Sequence, residues 1–112
     1  MRLNSKEITS IRHILGELDP LGQVYLFGSR VDDSRKGGDI DIFLNASRII
    51  ELKTQLTIQY RLTTACNTHV DLLVKNPNQS MQPIHEIALE TGIKLWPLQL
   101  IKNIQKNTEC FN

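Results

Sequence analysis

The chain has 112 residues and a formal net charge of +1, which predicts one domain, residues 1–112, with one modest hydrophobic core. A nearly neutral charge argues against a broad basic surface, so no direct nucleic-acid binding is expected. The start of the chain has no apolar leader, and no apolar run approaches the length of a membrane span. Cys66 and Cys110 lack metal-like spacing and indicate reduced thiols, which predicts a cytoplasmic protein.

A first helix is predicted from Asn4 or Ser5, either of which can cap it, with Glu7 placed as the partner in a capping box. Apolar residues at helical spacing predict one stripe that covers a sheet: Ile8, Ile11, Ile14, Leu15 and Leu18. The turn-forming residues 19–22 end this helix. His13 is far in sequence from the acidic residues described below and is predicted to be solvated or at the edge of the core.

A short apolar strand is predicted at residues 24–27, and Gly28-Ser29-Arg30 follows it directly. Glycine lets the backbone approach a ligand closely, and successive N–H groups with a serine hydroxyl can hold phosphate oxygens. Residues 29–34 can form a short helix whose first amides face a phosphate. Arg30, beside the turn, is a stronger candidate for a phosphate contact than the basic residues at 35 and 36.

A second apolar strand begins at the sequence Asp39-Ile40-Asp41. Alternate residues of a strand share a face, so Asp39 and Asp41 are predicted to point the same way. Two neighbouring carboxylates repel each other unless a cation lies between them, and Mg²⁺ uses one or two carboxylates together with substrate phosphates. An Asp-x-Asp alone is more often a solvated pair, but with Gly28-Ser29 upstream it predicts a nucleotide site.

Residues 47–65 are predicted to form the second main helix, because no glycine or proline interrupts them. Its broad apolar surface is expected from Ile49, Ile50, Leu52, Leu56, Ile58 and Leu62. A strand follows at residues 69–74, and Asp71 is its one acid. An acid in an apolar strand is costly unless it is paired or binds a metal. Next to the Asp-x-Asp strand, Asp71 would complete a cluster of three carboxylates, with His69 at its periphery.

The last predicted helix starts at Ser80 or Gln82, with Pro83 in its first turn, and stops at Gly92. Four of its residues are predicted to face inward: Ile84, Ile87, Ala88 and Leu89. A short strand is expected at residues 93–96. A final amphipathic segment is expected from Leu98, Leu100, Ile101 and Ile104.

The pattern Gly28-Ser29, then Asp39-x-Asp41, then a later single Asp71 on a strand resembles the polymerase-β-type nucleotidyltransferase superfamily. Within it the chain is similar to the minimal nucleotidyltransferases (MNT), especially the antitoxin partners of HEPN ribonuclease toxins. The likeness covers residues 24–96. The spacing between the Gly-Ser and Asp-x-Asp pairs is one residue shorter than usual, a difference that the intervening loop can absorb. The resemblance implies an α/β (α+β) fold, in which a small mixed sheet is flanked by helices.

The resemblance also implies transfer of AMP from ATP, with two Mg²⁺ ions as cofactors. It implies roles for six residues: catalysis and metal binding by Asp39, Asp41 and Asp71, and nucleotide binding by Gly28, Ser29 and Arg30. The implied acceptor is a tyrosine hydroxyl of a partner HEPN toxin, which the transfer silences. Two alternatives are an antitoxin that neutralises by binding alone and a nucleotidyltransferase subunit that modifies a small, aminoglycoside-like acceptor.

Overall fold

A computed structural model describes residues 3–31 and 38–96. These residues form, in chain order, α1 (Ser5–Leu18), β1 (Gln23–Phe27), a 3-10 turn (Gly28–Val31), β2 (Ile40–Asn45), α2 (Leu52–Cys66), β3 (Val70–Lys75), α3 (Pro83–Thr91) and β4 (Ile93–Trp96). The predictions for residues 32–37, for the segment after Trp96 and for Cys110 lie outside the described residues. No helix in the described ranges is long and apolar enough to cross a membrane.

The four strands form one mixed sheet in the order β3-β2-β1-β4. β1 is antiparallel to both β2 and β4, whereas β2 and β3 are parallel. Parallel neighbours require a crossover connection, and α2 supplies it between β2 and β3. The predicted α+β fold, a small mixed sheet flanked by helices, is confirmed.

One face of the sheet carries the hydrophobic core. The core joins residues of β2, α1 and α2, among them Ile40, Ile42, Leu44, Ile11, Ile14, Leu15, Ile58 and Leu62. The predicted capping box starts α1: the Glu7 amide donates to Asn4 Oδ1 at 2.8 Å, and the Asn4 amide donates to Glu7 Oε1 at 2.9 Å. Both contacts satisfy amides that the helix leaves without a partner, so α1 begins where the sequence predicted.

The opposite face of the sheet is covered by α3. The buried side chain of Phe43 points to this face because it alternates with the core residues of β2. The His85 ring of α3 stacks on Phe43 with the ring centroids 5.6 Å apart. Asp41 lies two residues before Phe43 on β2, so Asp41 and α3 lie on the same side of the sheet.

The predicted start of the second helix is wrong, since α2 begins at Leu52 rather than Ser47. The Ser47 amide donates to Asp19 Oδ2 at 2.7 Å, and the Ile50 amide donates to Asn76 Oδ1 at 2.9 Å. These side chains satisfy the amides in place of a helix. The residues between β2 and α2 therefore form a loop held by two distant turns.

The predicted inward face of α3 is wrong in part. Ile84 and Ile87 are exposed, whereas Ala88 is buried as predicted and His85 is buried beside it. The Gln82 amide donates to His85 Nδ1 at 2.9 Å. This cap and the stacking on Phe43 set the rotation of the helix and turn the two isoleucines outward. Of the apolar surface predicted for the second helix, Ile49, Leu52 and Leu56 are exposed.

Candidate active site

The parallel pairing of β2 and β3 places Asp41 directly opposite Asp71. Asp39 immediately precedes β2, and His69 immediately precedes β3. The Ile40 amide donates to the His69 carbonyl at 3.0 Å, which continues the contact between the two strands beyond their ends. The structure therefore brings the three predicted acidic residues to the same end of the β2–β3 pair.

A side-chain cluster forms at this end from Asp39, His69 and Asp71. One ligand atom from each residue lies within 4.8 Å of the other two. His69 Nε2 is 2.8 Å from Asp71 Oδ1. The sequence predicted a peripheral position for His69, but the structure places its ring against Asp71. The His-x-Asp spacing could have indicated this contact, because alternate residues of a strand share a face.

The electrostatics of the cluster follow from its negative charge. The pKa of Asp41 is raised, first by burial and then by the neighbouring charges of Asp71 and Asp39. The pKa of His69 is also raised, chiefly by its hydrogen bond to Asp71 and by the charge of that carboxylate. The charge of Asp71 contributes to both shifts, whereas burial is the largest cause at Asp41.

Gly28 connects the end of β1 to this cluster. Its φ is +77°, in the left-handed region that favours glycine, and a Cβ atom at this position would overlap the Asp41 carboxylate. Phe27, the preceding residue, pairs with Asp41 across the sheet. The backbone of the 3-10 turn that starts at Gly28 therefore lies against Asp41. Of the short helix predicted at residues 29–34, residues 29–31 belong to this 3-10 turn, and the others lie outside the described residues.

Arg30, in the same turn, contacts two elements near the site. Its Nη1 lies 3.3 Å from Glu7 Oε1 in α1, and its Nε donates to the Gly38 carbonyl at 3.3 Å. Both side chains of the ion pair are largely buried, at 13% and 8% exposure. Arg30 therefore links α1 to the residue that precedes Asp39. The sequence predicted a phosphate contact for Arg30 and only a capping role for Glu7. It did not predict their ion pair, because the two residues lie in segments that are far apart in the sequence.

The donor set at this site fits a hard divalent cation. Three carboxylates supply oxygen ligands, which Mg²⁺ and related ions prefer. The pKa of Asp41 is raised first by burial and then by repulsion from Asp71 and Asp39, and a bound cation would relieve that repulsion. The residues present are therefore suited to hold a divalent ion.

The mixed sheet thus brings carboxylates to the same end of parallel β2 and β3, with the glycine turn against Asp41. The family model for polymerase beta nucleotidyltransferases matches residues 9–107, and the chain belongs to this family. Comparison with curated protein sequences finds no match.

Several solved structures share the fold. A toxin–antitoxin complex with AMP-PNP matches at 21% identity and a TM-score of 0.70, over 91% of this chain and 92% of that one. A complex of a tri-AMPylated HEPN toxin from Shewanella oneidensis with its MNT antitoxin matches at 23% identity and a TM-score of 0.66, over 92% and 85%. An MntA–HepT toxin–antitoxin structure matches at 19% identity and a TM-score of 0.67, over 95% and 93%. At these identities the likeness establishes the fold.

Proposed function

We propose that this chain transfers AMP from ATP, with Mg²⁺, to a tyrosine hydroxyl of a partner HEPN toxin and thereby acts as an antitoxin. The observation that carries the proposal is the pairing of Asp41 with Asp71, with Asp39 beside them. Membership of the family supports nucleotidyl transfer. The similarity to toxin–antitoxin complexes, one of which contains a tri-AMPylated toxin, supports a protein acceptor.

The acidic residues would divide the metal binding between them. Asp39 and Asp41 would hold the ion that accompanies the triphosphate, and Asp41 and Asp71 would share a second ion. Two such ions neutralise charge on the attacking and leaving oxygens of a displacement at phosphorus. The chain itself contributes the fixed positions of three carboxylates at the ends of two paired strands.

Asp71 would act on the acceptor. Its side chain is about half exposed, so a hydroxyl of another protein can reach a carboxylate oxygen. Asp71 orients this hydroxyl and accepts its proton as the oxygen attacks the α-phosphorus of ATP. A new bond forms between the acceptor oxygen and the α-phosphorus. The bond from the α-phosphorus to the oxygen that bridges it to the β-phosphorus breaks, and pyrophosphate leaves.

The turn after β1 would hold the leaving phosphates. The turn that starts at Gly28 has its backbone against the Asp41 carboxylate. A phosphate bound to this turn would therefore lie next to the acidic cluster. Ser29 enters the proposal on its sequence position, since its side chain lies outside the described part of the structure. Arg30 contributes positive charge to the turn, and its contacts with Glu7 and Gly38 hold the turn in place.

The proposal is tested by incubating the chain with α-labelled ATP, Mg²⁺ and the toxin encoded beside it. Label is expected on the toxin with the wild type and is expected to disappear with Asp71→Asn. Glu90→Gln is a matched control, because Glu90 is an exposed acid on α3 and should leave transfer unchanged. Stable binding of the two proteins without transfer of label would contradict the proposal.

Neutralisation by binding alone is the second candidate function. Leu52, Leu56 and Tyr60 of α2 are exposed at helical spacing, and a contiguous apolar surface is typical of a protein interface. In this case the partner toxin would be held by contact, without chemistry. Asp41→Asn separates the two functions, because a steric inhibitor would still neutralise the toxin and an enzyme would not.

A further inference from the structure

We propose that Glu7 is a positioning residue of the site, because it holds Arg30 and thereby the backbone that presents Asp39. Glu7 lies on α1, an element to which no predicted site residue belongs. The inference deepens the proposed function and rests on it for one point, the role of Asp39 as a ligand of the ion that accompanies the triphosphate.

A helix cap alone does not explain the burial of a charged side chain at Glu7. The side chain is 8% exposed, whereas its capping partner Asn4 is exposed. Glutamine satisfies a capping box as well as glutamate does, and a buried carboxylate is costly unless a cation and hydrogen bonds compensate it. The Arg30 guanidinium supplies this compensation, since its Nη1 donates to Glu7 Oε1 at 3.3 Å.

Arg30 carries this restraint to the backbone before Asp39. Its Nε donates to the Gly38 carbonyl at 3.3 Å. Gly38 has a φ of +90°, and glycine adopts this left-handed region and the ordinary one about equally well. The hydrogen bond from Arg30 therefore selects one conformation of the peptide that joins Gly38 to Asp39.

Asp39 depends on such restraints because it lies just outside β2. The other two acids of the site are fixed by the ladder between β2 and β3. The peptide after Asp39 is held where the Ile40 amide donates to the His69 carbonyl at 3.0 Å. The peptide before Asp39 is held by Arg30. The residue is thus held on both sides, and Glu7 anchors one of the two contacts.

The substitution Glu7→Gln separates the positioning role from the capping role. Glutamine keeps an oxygen that accepts from the Asn4 amide, but it removes the charge that strengthens the hydrogen bond from Arg30. Asn4→Ala is the matched control. It removes the oxygen that caps the Glu7 amide and should lower the stability of α1, while the Glu7 carboxylate stays beside Arg30.

The first measurement is amide hydrogen exchange in the full chain without ions or nucleotide, which requires no activity. The rate at the Ile40 amide is compared with the rate at the Leu72 amide of β3, which donates to Gln59 Oε1 at 2.7 Å. Glu7→Gln is expected to raise the ratio of these two rates, because one restraint on the backbone before β2 is weakened. Asn4→Ala should leave the ratio unchanged.

The second measurement is calorimetric titration with AMP-PNP in the presence of Mg²⁺. Glu7→Gln is expected to lower the Mg²⁺-dependent affinity by about tenfold, as is typical when a group that orients a metal ligand is lost. Arg30→Lys should show the same loss, because a lysine keeps the charge but cannot contact Glu7 and Gly38 together. This variant also tests the proposal if Glu7→Gln fails to fold. Asn4→Ala should bind as the wild type does.

An unchanged exchange ratio in Glu7→Gln would overturn the proposal, and so would wild-type affinity in Arg30→Lys. Equal effects of Glu7→Gln and Asn4→Ala would overturn it as well, since both would then act only through the stability of α1. Failure of the proposed function is a different result. A wild type that never modifies the toxin would lack the transferase role, while the exchange ratio would still decide whether Glu7 holds the backbone before Asp39.

Discussion

Asp41 and Asp71 occupy paired positions in the parallel ladder of β2 and β3. Each is the second residue of its strand. The crossover through α2 brings these two acids together although they lie far apart in the sequence. Like charges that face each other across a sheet are destabilising. The fold therefore carries an electrostatic cost at this position that a bound cation would offset.

Asp41→Asn is expected to raise the free energy of unfolding of the metal-free chain at neutral pH by up to about 1 kcal/mol. The substitution removes a carboxylate whose pKa is raised by burial and by the charges of Asp71 and Asp39. Urea denaturation with a chelator measures this difference. With excess Mg²⁺ the order should reverse, because an ion that binds the folded wild type stabilises it. Lower stability of the variant in chelator would contradict the expectation.

Gly28→Ala is expected to cost at least about 1 kcal/mol of stability, because Gly28 has a φ of +77°. The added methyl group would also displace the Asp41 carboxylate, so metal binding should weaken. Gly16→Ala is the control. No heavy atom lies within 4 Å of the Cβ position at this residue of α1, and alanine should stabilise the helix by about 1 kcal/mol. Equal effects of the two substitutions would refute this account of Gly28.

The ion pair between Glu7 and Arg30 is expected to show a coupling of about 1–3 kcal/mol in a double-mutant cycle with Glu7→Gln and Arg30→Gln. The cycle is needed because Arg30 also contacts the Gly38 carbonyl. Glu17 and Arg61 form the control pair, 4.0 Å apart and exposed, for which a coupling below about 0.5 kcal/mol is expected. A coupling no larger than that of the control would show that the buried pair does not link α1 to the site.

We expect the protein to lose stability in acid because of His85. Its pKa is lowered, first by burial and then by the charge of Lys75, so the unfolded chain binds a proton more readily than the folded one. The free energy of unfolding should therefore fall as the pH drops below about 6.5, the value for an unfolded histidine. Protonation would also remove the hydrogen bond that Nδ1 accepts from the Gln82 amide.

His85→Gln keeps a capping side chain at this position without the titration. Denaturation of both proteins at pH 5.5 and 7.5 should show a larger loss in the wild type, since the other histidines contribute equally to each. The same loss in both proteins would exclude His85 as the cause.

The sequence predicted well those elements whose signals are local. The Asn4–Glu7 capping box, the alternation of apolar residues in β2 and the stop at Gly92 each depend on a few neighbouring residues, and each is present in the structure. The neighbourhood of β2 and β3 followed from the resemblance together with the single acid in an apolar strand. The roles of the six predicted site residues stay predictions, which the variants above address.

Features that depend on distant contacts could not be predicted. Asp19 and Asn76 hold the loop before α2 from 28 and 26 residues away, which no local propensity reveals. The stacking of His85 on Phe43 turned α3 away from its predicted face. The burial of Glu7 against Arg30 likewise joins residues 23 positions apart, so its link to the site became visible only in the fold.

The most direct measurement is the intact mass of the partner toxin after co-expression with this chain or with its Asp39→Asn/Asp41→Asn variant. The proposed function predicts that the toxin gains the mass of one or more AMP groups with the wild type and remains unmodified with the variant. An unmodified toxin, bound and neutralised equally by the wild type and by the variant, would contradict the transferase role and favour neutralisation by binding.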